Sequence, residues 1–152
     1  MKTLISIILI FLFLDTASAQ NTQRVKHFNI NKSTLAINGY DPVAYFTSNK
    51  GVEGRKDISL ISEGITYYFS STQNRELFKA NPSKYEPQYG GWCAYAMGEK
   101  GDKVSVDPKT FKIVDGKLYL FYNKLVTNTL KEWNKNESPL KQKADQNWAK
   151  LK

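Results

Sequence analysis

A single cysteine, Cys93, stands in the whole chain, so no internal disulfide can form and packing alone must hold the fold. Size permits this. Beyond a short apolar leader about 130 residues remain, enough to bury a core without staples. Phe, Tyr and Trp supply 13% of the residues, too large a share for a disordered chain. No repeat, low-complexity tract or change of composition marks an internal boundary, and one domain is expected.

The leader sets the expected compartment. Lys2 precedes an apolar run from Leu4 to Leu14, broken only by Ser6, which is too short to span a bilayer. Asp15 ends it, and Ala17-Ser18-Ala19 supplies the small-x-small pattern of a signal-peptidase site. The division expected is a signal peptide over 1–19, a flexible polar lead-in over 20–34 and a folded domain over 35–152, with cleavage near Ala19-Gln20 and an extracytoplasmic location, periplasmic or secreted. A lone thiol is unusual in such an oxidising compartment. No stable membrane span is expected, and the mature chain is expected to be a monomer.

The net charge is +8, which raises the question of nucleic acid. The lysines are scattered singly or in pairs among acidic and polar neighbours, with no basic run, so they describe a solvated surface rather than a nucleic-acid footprint. Attraction to anionic envelope surfaces is compatible with the same charge.

Local signals predict an α+β fold of short antiparallel strands and hairpins packed against several helices. Ile58–Ser62 and Ile65–Ser70 form two strands joined at Glu63-Gly64. Ser70 or Ser71 caps a helix that ends at Asn81-Pro82. Phe111–Val114 and Leu118–Tyr122 flank Asp115-Gly116, a preferred pair for a two-residue hairpin turn. Asn123 is expected to cap a helix through Leu125, Leu130 and Trp133. A last helix begins at Ser138-Pro139 and repeats Leu140, Ala144, Trp148 and Leu151 at helical spacing.

Several chemistries lack their residues. His27 is the sole histidine and lies in the lead-in, where an ordinary surface role is expected, so His-dependent triads and His-rich metal sites have no basis. No Cys-x-x-Cys and no Gly-rich phosphate loop occur. Asp41, Asp57, Asp107 and Asp115 sit in turns, where carboxylates satisfy backbone amides. What remains is Gly90-Gly91-Trp92-Cys93-Ala94-Tyr95-Ala96-Met97. A thiol at the start of a short helix is favoured as thiolate, and Met97 four residues on would share its face, a soft pair suited to Cu(I). The opposing reading makes Cys93 a small buried hydrophobe and Met97 ordinary core. The residues alone leave both open.

The order of segments carries a resemblance. Tyr40-Asp41-Pro42-Val43-Ala44-Tyr45-Phe46, Gly64-Ile65-Thr66-Tyr67-Tyr68-Phe69-Ser70-Ser71, Asn81-Pro82 and Gly90-Gly91-Trp92-Cys93-Ala94-Tyr95 resemble the YHS domain family, and in particular its exported branch. The likeness runs from about Leu35 to the C-terminus. Metal-handling YHS domains carry cysteines where this chain has Ala44, Ser70 and Asn74, poor soft-metal ligands. In the exported branch the position of Cys93 is sometimes selenocysteine, which implies redox use.

The expected site therefore has Cys93 as the catalytic residue, lining a pocket with Gly90, Gly91, Trp92, Tyr95, Tyr67 and Tyr68, and has Cys93 with Met97 as ligands of a soft metal such as Cu(I). The expected function is thiol-dependent redox or copper handling. The partner would be an external thiol reductant or a metal donor or acceptor protein. The alternative is a non-catalytic extracytoplasmic binding module with an aromatic pocket and a structural Cys93.

Overall fold

The computed structural model describes residues 21–151, so the expected signal peptide and cleavage site lie outside the described residues. Residues 21–27 form helix α1. Then follow α2 (Ala44–Thr47), strands β1 (Arg55–Ser62) and β2 (Ile65–Phe69), α3 (Thr72–Ala80), α4 (Pro82–Tyr85) and α5 (Ala94–Glu99). The chain continues through β3 (Asp107–Val114), β4 (Lys117–Phe121), β5 (Asn123–Lys124), β6 (Thr127–Asn128), α6 (Thr129–Lys135) and α7 (Glu137–Ala149). The fold is α+β, with three antiparallel pairs, β1-β2, β3-β4 and β5-β6, packed among helices as one domain.

Strand β4 divides the core. Leu118 and Leu120 join Val43, Tyr45, Ile65, Tyr67, Phe69 and Phe78 on one side. Tyr119 and Phe121 face the other way, into a second cluster of Met97, Trp133, Leu140, Ala144 and Trp148. A strand buried on both faces needs a continuous apolar run, which Leu118-Tyr119-Leu120-Phe121 supplies. β2 has the alternating pattern of a strand with one buried face: Ile65, Tyr67 and Phe69 are buried, while Thr66 and Tyr68 are half-buried.

Two expectations fail here. The stretch 20–34, expected as a flexible lead-in, instead contains α1, and the residues after it are pinned to the body. Asn29 N–H donates to the Gly90 carbonyl at 2.8 Å, and its side-chain amide donates to the Gly91 carbonyl at 3.0 Å. Phe28 packs edge-on against Trp148, with ring centroids 6.1 Å apart. Polar composition concealed this because Val25, Phe28 and Ile30 are the only apolar side chains of the stretch that pack on the core.

Asn123 does not cap a helix. Asn123–Asn128 form the β5-β6 hairpin, and Asn128 caps α6 by accepting from Leu130 N–H at 3.1 Å. Apolar residues at Leu125 and Leu130 imitated helical spacing, but Leu125 is fully in solvent.

Candidate functional site

Cys93 is the N-cap of α5. Its backbone N–H donates to the Val104 carbonyl at 2.9 Å, and its carbonyl accepts from Met97 N–H at 3.0 Å, so the main chain fixes where the sulfur points. Tyr122 N–H donates to Sγ at 3.4 Å. The Thr129 hydroxyl lies 3.3 Å from Sγ and 2.9 Å from the Tyr122 carbonyl. A hydroxyl has one proton, and here it goes to the carbonyl, so the thiol donates to Thr129 Oγ1 and accepts from Tyr122 N–H. Both hydrogen-bonding roles of a neutral thiol are filled. As a thiolate, Sγ would receive a second donor once the Thr129 hydroxyl turned from the carbonyl toward it.

A cavity of about 370 Å³ is lined in part by Cys93. Its walls are Cys93, Tyr95, Ala96, Val104, Tyr122 and Thr129, with Glu99, Lys100 and Asp102 at the rim. Cys93 itself has no solvent-exposed surface. It borders the cavity without exposed surface, so a reagent reaches it only when neighbouring side chains move. The Tyr95 phenol at the wall has its pKa raised, first by desolvation and then by the Glu99 and Glu132 carboxylates, which keeps it a neutral hydrogen-bonding group.

The expected site is divided by the fold. Tyr95 shares the cavity with Cys93. Trp92 does not: its indole N–H donates to the His27 carbonyl at 2.7 Å, fastening α1. Gly90 lines a second cavity of about 460 Å³ between α1 and the end of α7, with Arg24, Phe28, Tyr89, Asp145 and Trp148. The close approach expected of the paired glycines is to the protein's own rings, since a Cβ on Gly90 would lie 2.8 Å from the Trp148 ring. Gly91 accepts from Asn29 through its carbonyl. Tyr67 is buried across β4, and its hydroxyl donates to Glu86 at 2.8 Å. Tyr68 packs on Gly39, again away from Cys93. The Met97 side chain belongs to the buried second cluster and does not line the thiol cavity. Among the described residues no three His, Cys, Asp or Glu side chains group to hold an ion.

Thr129 and Tyr122 carry the chemistry that the sequence did not expose. Neither belongs to a motif, and both reach Cys93 only because they close the base of the β5-β6 hairpin, where Thr129 N–H donates to the Tyr122 carbonyl at 3.0 Å. His27, expected as an ordinary surface residue, is half-buried, with Lys103 Nζ 3.1 Å from Nδ1. Its pKa is lowered by desolvation, then by the charges of Lys103 and Lys26.

A second polar centre surrounds Asp41, which is completely buried. Oδ1 accepts from Val43 and Ala44 N–H at 2.8 and 3.2 Å. Oδ2 accepts from Ser70 N–H, the Ser70 hydroxyl and the Asn74 amide at 2.8, 2.6 and 2.7 Å. Ala44, Ser70 and Asn74, the three positions singled out by the resemblance, thus meet around one carboxylate, and their polar groups are spent on it. Comparison with family models, with curated proteins and with solved structures finds no match to this chain.

Proposed function

We propose that this chain is an exported, YHS-like thiol-dependent redox protein whose reacting atom is Cys93 Sγ. The observation that carries the reading is a cysteine bordering a cavity, with the Tyr122 N–H donating to its sulfur and the Thr129 hydroxyl oxygen 3.3 Å from it, able to turn its proton toward a thiolate. An N–H donor and a rotatable hydroxyl are what a sulfur needs when negative charge develops on it.

The chemistry balances with a hydroperoxide and an external thiol. The Cys93 sulfur attacks one peroxide oxygen, the O–O bond breaks, and the alkoxide leaves with the thiol proton as an alcohol. Cys93 is left as a sulfenic acid. An external thiol condenses with it to give a mixed disulfide and water, and a second external thiol releases Cys93 and departs as the external disulfide. Thr129 first accepts the thiol proton's hydrogen bond and then donates its own to the thiolate.

The soft-metal part of the expectation has less support, because Met97 is committed to the core and leaves the cavity a single soft donor. The binding-module reading is favoured by the complete burial of Cys93 and by the larger cavity lined with Phe28, Tyr89 and Trp148.

Peroxide-driven formation of a sulfenic acid, trapped with dimedone in the folded protein, decides between them. Cys93→Ser should abolish trapping. Thr129→Val, which keeps the shape and removes the hydroxyl, should slow it about tenfold, the effect of one hydrogen bond to a charged group. A Cys93 that reacts with neither peroxide nor alkylating reagents until the chain unfolds would leave a structural thiol and establish the binding-module reading.

A further inference from the structure

Three two-residue hairpin turns occur among the described residues, and one breaks the pattern of the others. Glu63-Gly64 joins β1 to β2 with φ of 47° and 81°, and Asp115-Gly116 joins β3 to β4 with φ of 51° and 70°. Both pairs suit a left-handed turn. The β5-β6 turn is instead Leu125-Val126, with Leu125 at φ 56°. A residue with a branched apolar side chain occupies the left-handed region here, where glycine or asparagine is at ease.

The two side chains are also in water. Leu125 is 94% and Val126 100% exposed, and the other large exposed apolar residues among the described ones, Ile61 and Leu77, are not neighbours in sequence. Single exposed apolar residues are ordinary, but a neighbouring pair at the tip of a strained turn is not. Lys124 and Lys131 flank the pair in sequence, and neither has a carboxylate partner among the described residues, whereas Lys135 is held by Glu132 at 2.7 Å. An apolar tip with unpaired lysines near it in sequence, on a chain of net charge +8, is complementary to an anionic lipid surface, where the side chains enter the acyl boundary and the ammonium groups meet headgroup phosphates.

We infer that the β5-β6 hairpin is a docking element for anionic lipid, inserting Leu125 and Val126 while Lys124 and Lys131 bind the headgroups. The inference does not depend on the thiol chemistry. It does assign a role to the hairpin's position, since its base is the Tyr122–Thr129 pair that holds Cys93, and docking would set the thiol cavity close to the bilayer surface.

Co-sedimentation of the chain, as its host processes it, with vesicles of equimolar phosphatidylcholine and phosphatidylglycerol tests this. Binding should occur with these vesicles, weaken as salt is raised, and be absent with phosphatidylcholine alone. Leu125→Gly combined with Val126→Asn puts glycine at the one left-handed position and a polar residue after it, so the fold is kept and thermal stability should hold or rise. Binding should nonetheless fall at least tenfold. Lys124→Gln should weaken it about fivefold, the usual effect of one basic residue near such a surface. Equal binding by the parent and the double variant would overturn the inference, as would no vesicle binding at all. A self-association removed by the double variant, with no vesicle binding, would give the tip to a second copy of the chain and equally overturn it.

Discussion

Asp41 is buried, forms no ion pair among the described residues, and has five hydrogen-bond donors from three segments converging on its two oxygens. Its neighbours in sequence suggested a turn carboxylate that satisfies backbone amides, and Oδ1 does this for Val43 and Ala44. Oδ2 could not be foreseen, because Ser70 and Asn74 approach it only after β2 and α3 have formed. For the same reason Ser71 rather than Ser70 caps α3, accepting from Asn74 N–H at 3.1 Å. Asp41→Ala should cost about 3 kcal/mol or more in denaturant unfolding, because it strands buried donors besides losing their bonds. A loss well under 1 kcal/mol would show that water replaces the carboxylate. Cys93 was legible in the same partial way: its place at a helix start could be inferred, but its full burial and its two hydrogen-bond partners could not.

At the scale of elements, turn chemistry carried most of the legible information. Glu63-Gly64 and Asp115-Gly116 fix two hairpins by local geometry and stand where local rules put them. The last helix starts at Glu137, just ahead of the expected Ser138-Pro139, and holds Pro139 in its first turn, where a missing N–H costs nothing. Leu125 and Val126 misled because the side chains at this turn do not suit it, so the local signal pointed to a helix. The contact between α5 and α7 is a further case where spacing was silent. Gly98 lets the two helices touch, since a Cβ there would sit 2.5 Å from the Leu140 carbonyl oxygen. Backbone cannot move aside as a flexible side chain can. Gly98→Ala should therefore destabilise the protein by about 2 kcal/mol despite alanine's better helix propensity, and it should do so by overpacking. Unchanged or raised stability in thermal unfolding would mean that α7 shifts freely.

Over the whole molecule, the tyrosines tie the two halves of the core to their polar edges. Tyr45 donates to the Pro108 carbonyl at 2.8 Å, Tyr67 to Glu86 and Tyr89 to Asp145 at 2.9 Å. Burial, with the nearby carboxylates, pushes all three phenols well above their ordinary range. In the unfolded chain they ionise near pH 10, as free tyrosine does. A folded-state pKa raised above the unfolded one favours folding below about pH 10 and withdraws that support as pH rises further. Stability to denaturant should accordingly fall above about pH 10, and phenolate absorbance from these three residues should appear only with unfolding. Their ionisation in the intact fold at ordinary alkaline pH would show that water reaches both clusters.

The edge-to-face pair of Phe28 and Trp148 joins the two ends of the described chain over Gly90. Synthesis runs from one end to the other, so α1 exists long before its partner. Until the ribosome has delivered α7, Phe28 lacks its ring partner and the Tyr119 and Phe121 side of β4 is covered only in part, by neighbours such as Met97 and Trp133, so the second half of the core stays incomplete. The last helix is in that sense a latch on the timing of folding. A chain released just short of Trp148 would keep all three hairpins yet lack the ring that locks its first helix in place.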